Sequence, residues 1–137
     1  MASIISHNPE ETFAFGRRLA ASLQRGAVLA LTGDLGAGKT HLVKGLAAGL
    51  GVESEVTSPT FTLIHEYTGG KLPLCHIDLY RLDSPVEALR IGLDEYLDAP
   101  GVTVIEWADK FGELIPQDAR WVRLRILDGD RREIQYE

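Results

Sequence analysis

The stretch Gly33-Asp34-Leu35-Gly36-Ala37-Gly38-Lys39-Thr40 constrains this chain more than any other, because it fills every specified position of the phosphate-binding pattern GxxxxGK[ST]. Ahead of it, Ala27 to Thr32 is an unbroken, mostly apolar run of strand length, the pattern of a central strand covered on both faces. Behind it, Leu42, Val43, Leu46, Ala47 and Leu50 recur at helical spacing, and Gly51 is a natural stop. Strand, glycine loop and helix in this order predict an α/β fold. In it, the loop N–H groups and the positive end of the helix dipole converge on an anion. Lys39 is then placed to reach the β and γ phosphates of a nucleotide, and the Thr40 hydroxyl to join the shell of its Mg²⁺. The alternative, a glycine-rich turn that merely joins strand to helix, is disfavoured by the complete motif in its proper context.

The other elements fit around that unit. Asn8-Pro9-Glu10-Glu11 has the form of a helix start, with Asn8 as cap, Pro9 at the first helical position and Glu11 placed to reach back. The helix is predicted from Pro9 to Gln24, with Phe13, Gly16, Arg17, Ala20 and Leu23 at helical spacing. Phe61–Tyr67 and Leu72–Leu79 alternate around Gly69-Gly70 and predict a β-hairpin. Ser84-Pro85-Val86-Glu87 opens a short helix through Ile91, and Gly92–Leu97 adds another turn. Val102–Ile105 is a short buried strand, and Trp121–Leu127 with Arg132–Tyr136 flank Asp128-Gly129-Asp130 as a closing hairpin. No repeat or linker interrupts the order. The prediction is one phosphate-loop NTPase-like domain over residues 1–137, three-layered, with a mixed central sheet.

A phosphate loop needs a carboxylate near the metal, commonly at the carboxyl end of a neighbouring strand. Glu106 follows Val102–Ile105 and is placed to hold Mg²⁺ or orient the attacking water; the plainer reading is a surface carboxylate at a strand end. Asp78 ends Leu74-Cys75-His76-Ile77, as a second carboxylate near the metal or as a partner for Arg81. Period two puts His76 with Asp78 on one face and Cys75 with Ile77 on the other, so Cys75 and His76 do not share a metal, and His76 reads as a packed or hydrogen-bonding residue. Thr57-Ser58-Pro59-Thr60-Phe61 is either a switch-type loop that presents a hydroxyl to the γ-phosphate or a Ser-Pro turn with its own local bonds. Trp107 is a stacking or partner contact, or core. Arg131-Arg132 reads first as a solvated pair.

Composition narrows the function classes. At 137 residues, with 45% hydrophobic and 25% charged residues, the chain has the size and balance of one ordinary globular domain. Lys and Arg total 14 against 20 Asp and Glu, so the formal charge of -6 opposes direct binding of a nucleic-acid backbone or an anionic membrane. Cys75 is the only cysteine, which excludes an internal disulfide and a multi-cysteine zinc site. Met1–Asn8 lacks a basic, apolar leader and no run approaches the roughly 18 apolar residues of a membrane helix, so the chain reads as cytoplasmic.

Four motifs in order, together with the loop itself, carry a resemblance that covers the chain from Asn8 to Glu137. They are Ser58-Pro59-Thr60-Phe61, His76-Ile77-Asp78-Leu79-Tyr80-Arg81-Leu82, Gly92-Leu93-Asp94-Glu95-Tyr96 and Ile105-Glu106-Trp107. With them the sequence resembles the TsaE family, also called YjeE. The resemblance implies an ATPase needed for threonylcarbamoyladenosine beside the anticodon of ANN-decoding tRNAs, working with TsaB and TsaD and resetting that complex between turnovers. It implies ATP contacts along Gly33, Asp34, Leu35, Gly36, Ala37, Gly38, Lys39, Thr40 and His41, with Pro9 and Arg132 also against the nucleotide. Thr40 and Glu106 would hold Mg²⁺, Asp78 would support hydrolysis, Ser58 and Thr60 would belong to the sensing loop, and Trp107 would lie near the site. His41 stands where many relatives have a second Thr. The acidic charge then assigns tRNA contact to the partners.

Rival classes have weaker support. A small-metabolite kinase would need a lid, and Arg81, Arg90 and Arg131-Arg132 are scattered with no lid insertion. For a GTPase, no NKxD occurs, and the DxxG at Asp98-Ala99-Pro100-Gly101 precedes its strand. A nucleotide-gated interaction module without turnover is the third class.

Overall fold

The computed structural model describes residues 2–59, 63–98 and 100–137. In chain order they form β1 (Ala2–Ser6), α1 (Pro9–Ala20), β2 (Val28–Thr32), α2 (Lys39–Gly49), β3 (Ile64–Tyr67) and β4 (Leu74–Asp78). There follow α3 (Pro85–Arg90), α4 (Leu93–Leu97), β5 (Val102–Glu106), a 3-10 helix (Ala108–Leu114), β6 (Arg120–Ile126) and β7 (Arg132–Tyr136). The strands make one sheet of order β1-β7-β6-β2-β5-β4-β3. Its centre is parallel, with β2 between β6 and β5 and β4 beyond β5. Both margins are antiparallel, β3 on β4 and β7 with β1 beyond β6. This is the mixed sheet that the sequence predicts.

Alternation along the central strands divides the core in two. Leu29, Leu31, Val102 and Val104 face one way and pack with Leu42 and Leu46 of α2 and with Phe15 and Leu19 of α1. Val28, Ala30, Ile77 and Ile105 face the other way and pack with Ala88, Leu93 and Phe111. Helices therefore lie on both faces, which makes the three layers. No helix among the described residues is long and apolar enough to cross a membrane.

The start of α1 follows its sequence signal: Asn8 Oδ1 accepts from the Glu11 N–H at 2.8 Å, and Glu11 reaches back to the His7 N–H at 2.8 Å. Its other end does not. The helix stops at Ala20 instead of Gln24, where Ser22 and Leu23 bond back three residues to Leu19 and Ala20. Its buried stripe is Thr12, Phe15, Gly16, Leu19 and Ala20, whereas Phe13 is half-buried and Arg17 exposed. The partner helix sets this rotation. A Cβ on Gly16 would fall 2.1 Å from the Leu42 carbonyl oxygen, and one on Gly45 1.9 Å from that of Phe13, so the two backbones approach where only glycine fits. The hairpin strands are shorter than predicted, β3 starting at Ile64 and β4 ending at Asp78; Phe61 and Thr62 lie outside the described residues. Strand β1, which the sequence does not signal, adds to the edge of β7 with Ile4 opposite Ile134.

Candidate nucleotide site

The phosphate loop leaves the carboxyl end of β2, and backbone geometry explains its glycines. Gly33 has φ +149°, and a Cβ there would lie 2.7 Å from the Leu124 carbonyl oxygen on β6. Gly38 has φ 100° and caps α2, whose first residue is Lys39. That cap directs the open N–H groups of the first turn of α2 towards the cavity beside the loop. Two other elements hold the loop. The Thr12 methyl lies 3.7 Å from the position of a Cβ on Gly38, which brings the start of α1 against it. An Arg132 Nη2 donates to the Gly36 carbonyl at 3.1 Å.

A cavity of about 250 Å³ is lined from the loop and α2 by Leu35, Gly36, Gly38, Lys39, Thr40 and His41. Ser58, Asp78, Glu106 and Trp107 complete its lining. Of the remaining predicted residues, Gly33 and Asp34 border a neighbouring cavity with Trp107 and Arg123, and Ala37 is buried. Arg132 touches the loop backbone, so it is not merely a solvated arginine; Arg131 pairs with Asp128 at 2.7 Å. Pro9 opens α1 without lining the cavity. Thr60 lies outside the described residues. Ser58 reaches the cavity from a segment tied to β3, where the Thr57 N–H donates to the Tyr67 hydroxyl at 3.3 Å.

The two carboxylates meet by strand register. Asp78 and Glu106 are direct partners at the carboxyl ends of the adjacent parallel strands β4 and β5, and they are 1% and 3% exposed. Asp78 Oδ1 accepts from the Tyr80 N–H at 2.8 Å. Glu106 Oε2 is hydrogen-bonded to His76 Nε2. Both carboxylates, with Thr40, offer hard oxygen donors, which fits Mg²⁺. Among the described residues no cluster of three or more His, Cys, Asp or Glu is arranged to hold a metal. A magnesium ion here would therefore take the rest of its shell from phosphate and water, as is usual for that ion.

Lys39 is 5% exposed. Its Nζ donates to the Gly33 carbonyl at 2.5 Å and lies 3.7 Å from the centre of the Trp107 ring. Burial holds its pKa below the ordinary lysine value, outweighing the opposing pull of Glu106, Asp78, Asp109 and Asp34. Trp107 sits in the left-handed region with φ 58° and ψ 35°, and its ring lies 4.9 Å from that of Tyr80. It is thus a half-buried wall of the site, between the two alternatives read from sequence. A tryptophan in that conformation stores about 1–3 kcal/mol of strain, which marks a place where the fold overrides local preference. The sequence carries no signal for that conformation. For the His76 bond it supplies only half the signal, the shared face with Asp78, since the offset between β4 and β5 is set by the fold.

A larger, mostly apolar cavity of about 310 Å³ opens at the amino-terminal ends of β4 and β5. It is bordered by Tyr67, Leu74, Cys75, Tyr96 and Val102, and it brings together none of the predicted site residues.

Residues 6–134 match the family model described as threonylcarbamoyl adenosine biosynthesis protein TsaE. The chain belongs to the TsaE family. A Bacillus subtilis (strain 168) protein named tRNA threonylcarbamoyladenosine biosynthesis protein TsaE is 48% identical over 94% of this chain and 80% of its own length. A Treponema pallidum (strain Nichols) protein of the same name is 42% identical over 95% of this chain and 96% of its own. The fold is also that of the crystal structure of YdiB from Bacillus subtilis, at TM-score 0.85 and 42% identity, covering 98% of this chain and 83% of that one. The TsaE match spans every element that builds the site, from the α1 cap to the Arg132 contact.

Proposed function

We propose that this chain binds ATP with Mg²⁺ at the loop cavity, hydrolyses it, and through that cycle resets a TsaB–TsaD complex making threonylcarbamoyladenosine on tRNA. Family membership supports the pathway. The observation that carries the ATPase reading is the meeting of Lys39, Thr40, Asp78 and Glu106 in one cavity at the carboxyl ends of the parallel strands.

In this reading the loop N–H groups and the start of α2 bind the phosphate oxygens. Lys39 leaves the Gly33 carbonyl and the Trp107 ring for the β and γ phosphates, exchanging weaker partners for anionic ones. Because it is already largely desolvated, little further dehydration opposes that move. Thr40 and Glu106 would hold Mg²⁺, which supplies charge neutralisation at the phosphates. Asp78, fixed by the Tyr80 N–H, orients the attacking water. Arg132 steadies the loop through Gly36. Ser58 borders the site and would sense the γ-phosphate. Partners would read out the consequence of hydrolysis. The cytoplasm, where ATP and tRNA meet, is the compartment this reading requires.

Phosphate release from ATP by the purified chain with Mg²⁺ tests it, against Asp78→Ala and Glu106→Ala. Both variants should fold and retain nucleotide binding while losing at least 10-fold in rate. Unimpaired rates in both would overturn the assignment of these carboxylates. Pathway function that survived the loss of hydrolysis would make the protein a nucleotide-gated module instead.

A further inference from the structure

His76 is a buried polar group that the cycle above leaves without a task. It is 0% exposed and shares a face of β4 with Asp78. Its register partner on β5 is Val104, so Glu106 lies diagonally across, within reach of the ring. The ring is held asymmetrically: Nε2 bonds Glu106 Oε2, and Nδ1 is buried with no hydrogen-bond partner. A carboxylate only accepts, so the tautomer that makes this bond carries its proton on Nε2. An apolar side chain would suit the core better than a ring with an unpaired nitrogen. Packing alone therefore does not account for a histidine here.

We propose that His76 is a positioning residue that fixes one oxygen of Glu106 so that the other faces the cavity in a single orientation. Glu106 needs such a restraint. Its carboxylate stands beside that of Asp78 at the same level of the sheet, and like charges in register repel. Glutamate also has rotatable bonds enough to swing away, and the bond to His76 engages Oε2 and not Oε1. The Nε2–H of His76 opposes that swing from within the rigid sheet, leaving Oε1 for Mg²⁺ or for the attacking water. Outer partners of metal-binding groups commonly control affinity or rate in this way. The inference rests on the ATPase reading above.

The test compares His76→Gln, whose amide N–H reaches close to the Nε2 position, with His76→Leu and with His76→Asn, whose amide is too short. Three quantities are measured on each: thermal midpoint, affinity for ATP with and without Mg²⁺, and kcat with KM. The leucine and asparagine variants should bind ATP without Mg²⁺ as the wild type does. They should lose about 10- to 100-fold either in Mg²⁺-dependent affinity, with KM raised in step, or in kcat with KM little changed. The glutamine variant should recover to within a few-fold. A purely structural role would move the thermal midpoint and leave this pattern absent. Equal kcat and Mg²⁺ dependence in the leucine and wild-type proteins would overturn the proposal, as would a folded glutamine variant no better than asparagine. Should leucine fail to fold, the glutamine and asparagine pair decides. A wild type that hydrolyses no ATP refutes the ATPase reading itself, and the Mg²⁺ dependence of affinity then decides the role of His76 separately.

Discussion

Replacing Lys39 with methionine should leave the nucleotide-free protein at least as stable as before and remove most of its response to nucleotide. The first half follows from burial. Lys39 is 5% exposed, and desolvation outweighs all four carboxylates that favour its charge. Methionine keeps the stem and removes that penalty. The second half follows from the contacts at stake. Charge-assisted hydrogen bonds contribute about 1.5–3 kcal/mol each, so losing one weakens binding roughly 10- to 150-fold. At a nucleotide concentration 100 times the wild-type dissociation constant, binding stabilises the wild type by about 2.7 kcal/mol; a 100-fold weaker variant gains only about 0.4 kcal/mol. A chain of 137 residues shifts its melting midpoint by roughly 3–4 °C per kcal/mol, so a rise of about 9 °C falls to about 1 °C. Differential scanning fluorimetry with and without Mg-ADP reads both halves. The pH dependence supplies a signed check. The folded pKa of Lys39 lies below 10.5, so the unfolded chain holds that proton more strongly, and the wild type regains stability as pH rises through the window beneath 10.5. Methionine has no such step, and the gap between the proteins should narrow there. A variant that keeps the full nucleotide shift, or whose nucleotide-free form melts many degrees lower, would refute the reasoning.

Other consequences are equally open to measurement. Gly45→Ala would place a Cβ 1.9 Å from the Phe13 carbonyl oxygen and should cost about 1–3 kcal/mol, a drop of roughly 3–10 °C by calorimetry. Cys75 is buried, and burial pushes its thiol up to about 12, so it should resist Ellman's reagent near pH 8 until denaturant is added. The isolated chain, with a formal charge of -6, should show no tight, salt-sensitive binding to tRNA in filter assays at low salt. Tight binding there would remove the argument that partners carry the RNA-binding surface.

What was legible in the sequence was whatever local chemistry dictates. The phosphate loop could be read because each glycine answers a local backbone demand and Lys39-Thr40 follow at fixed spacing. The α1 cap at Asn8 and the closing hairpin at Asp128-Gly129 were legible for the same reason. The carboxylates were identifiable one by one, but their side-by-side placement depends on the offset between β4 and β5, which are far apart in sequence. The same offset decides that His76 meets Glu106. On α1, Gly16, Ala20 and Leu23 are buried as their spacing predicts, but Phe15 and Leu19 take the places expected for Phe13 and Arg17 because the close approach of α2 at Gly45 sets the rotation. Strand β1 was missed because five residues at a sheet edge acquire their structure from the neighbouring β7. The left-handed Trp107 is likewise imposed by the fold on a residue that does not favour it.

The central claim, that this site turns over ATP in the service of a partner complex, is tested most directly by reconstitution with TsaB and TsaD. ATP hydrolysis and multiple-turnover threonylcarbamoyladenosine formation are measured with this chain, without it, and with Lys39→Met in its place. The account predicts that the wild-type chain stimulates both and that the variant stimulates neither. Full modification through many turnovers without the chain, or with the variant, would contradict it.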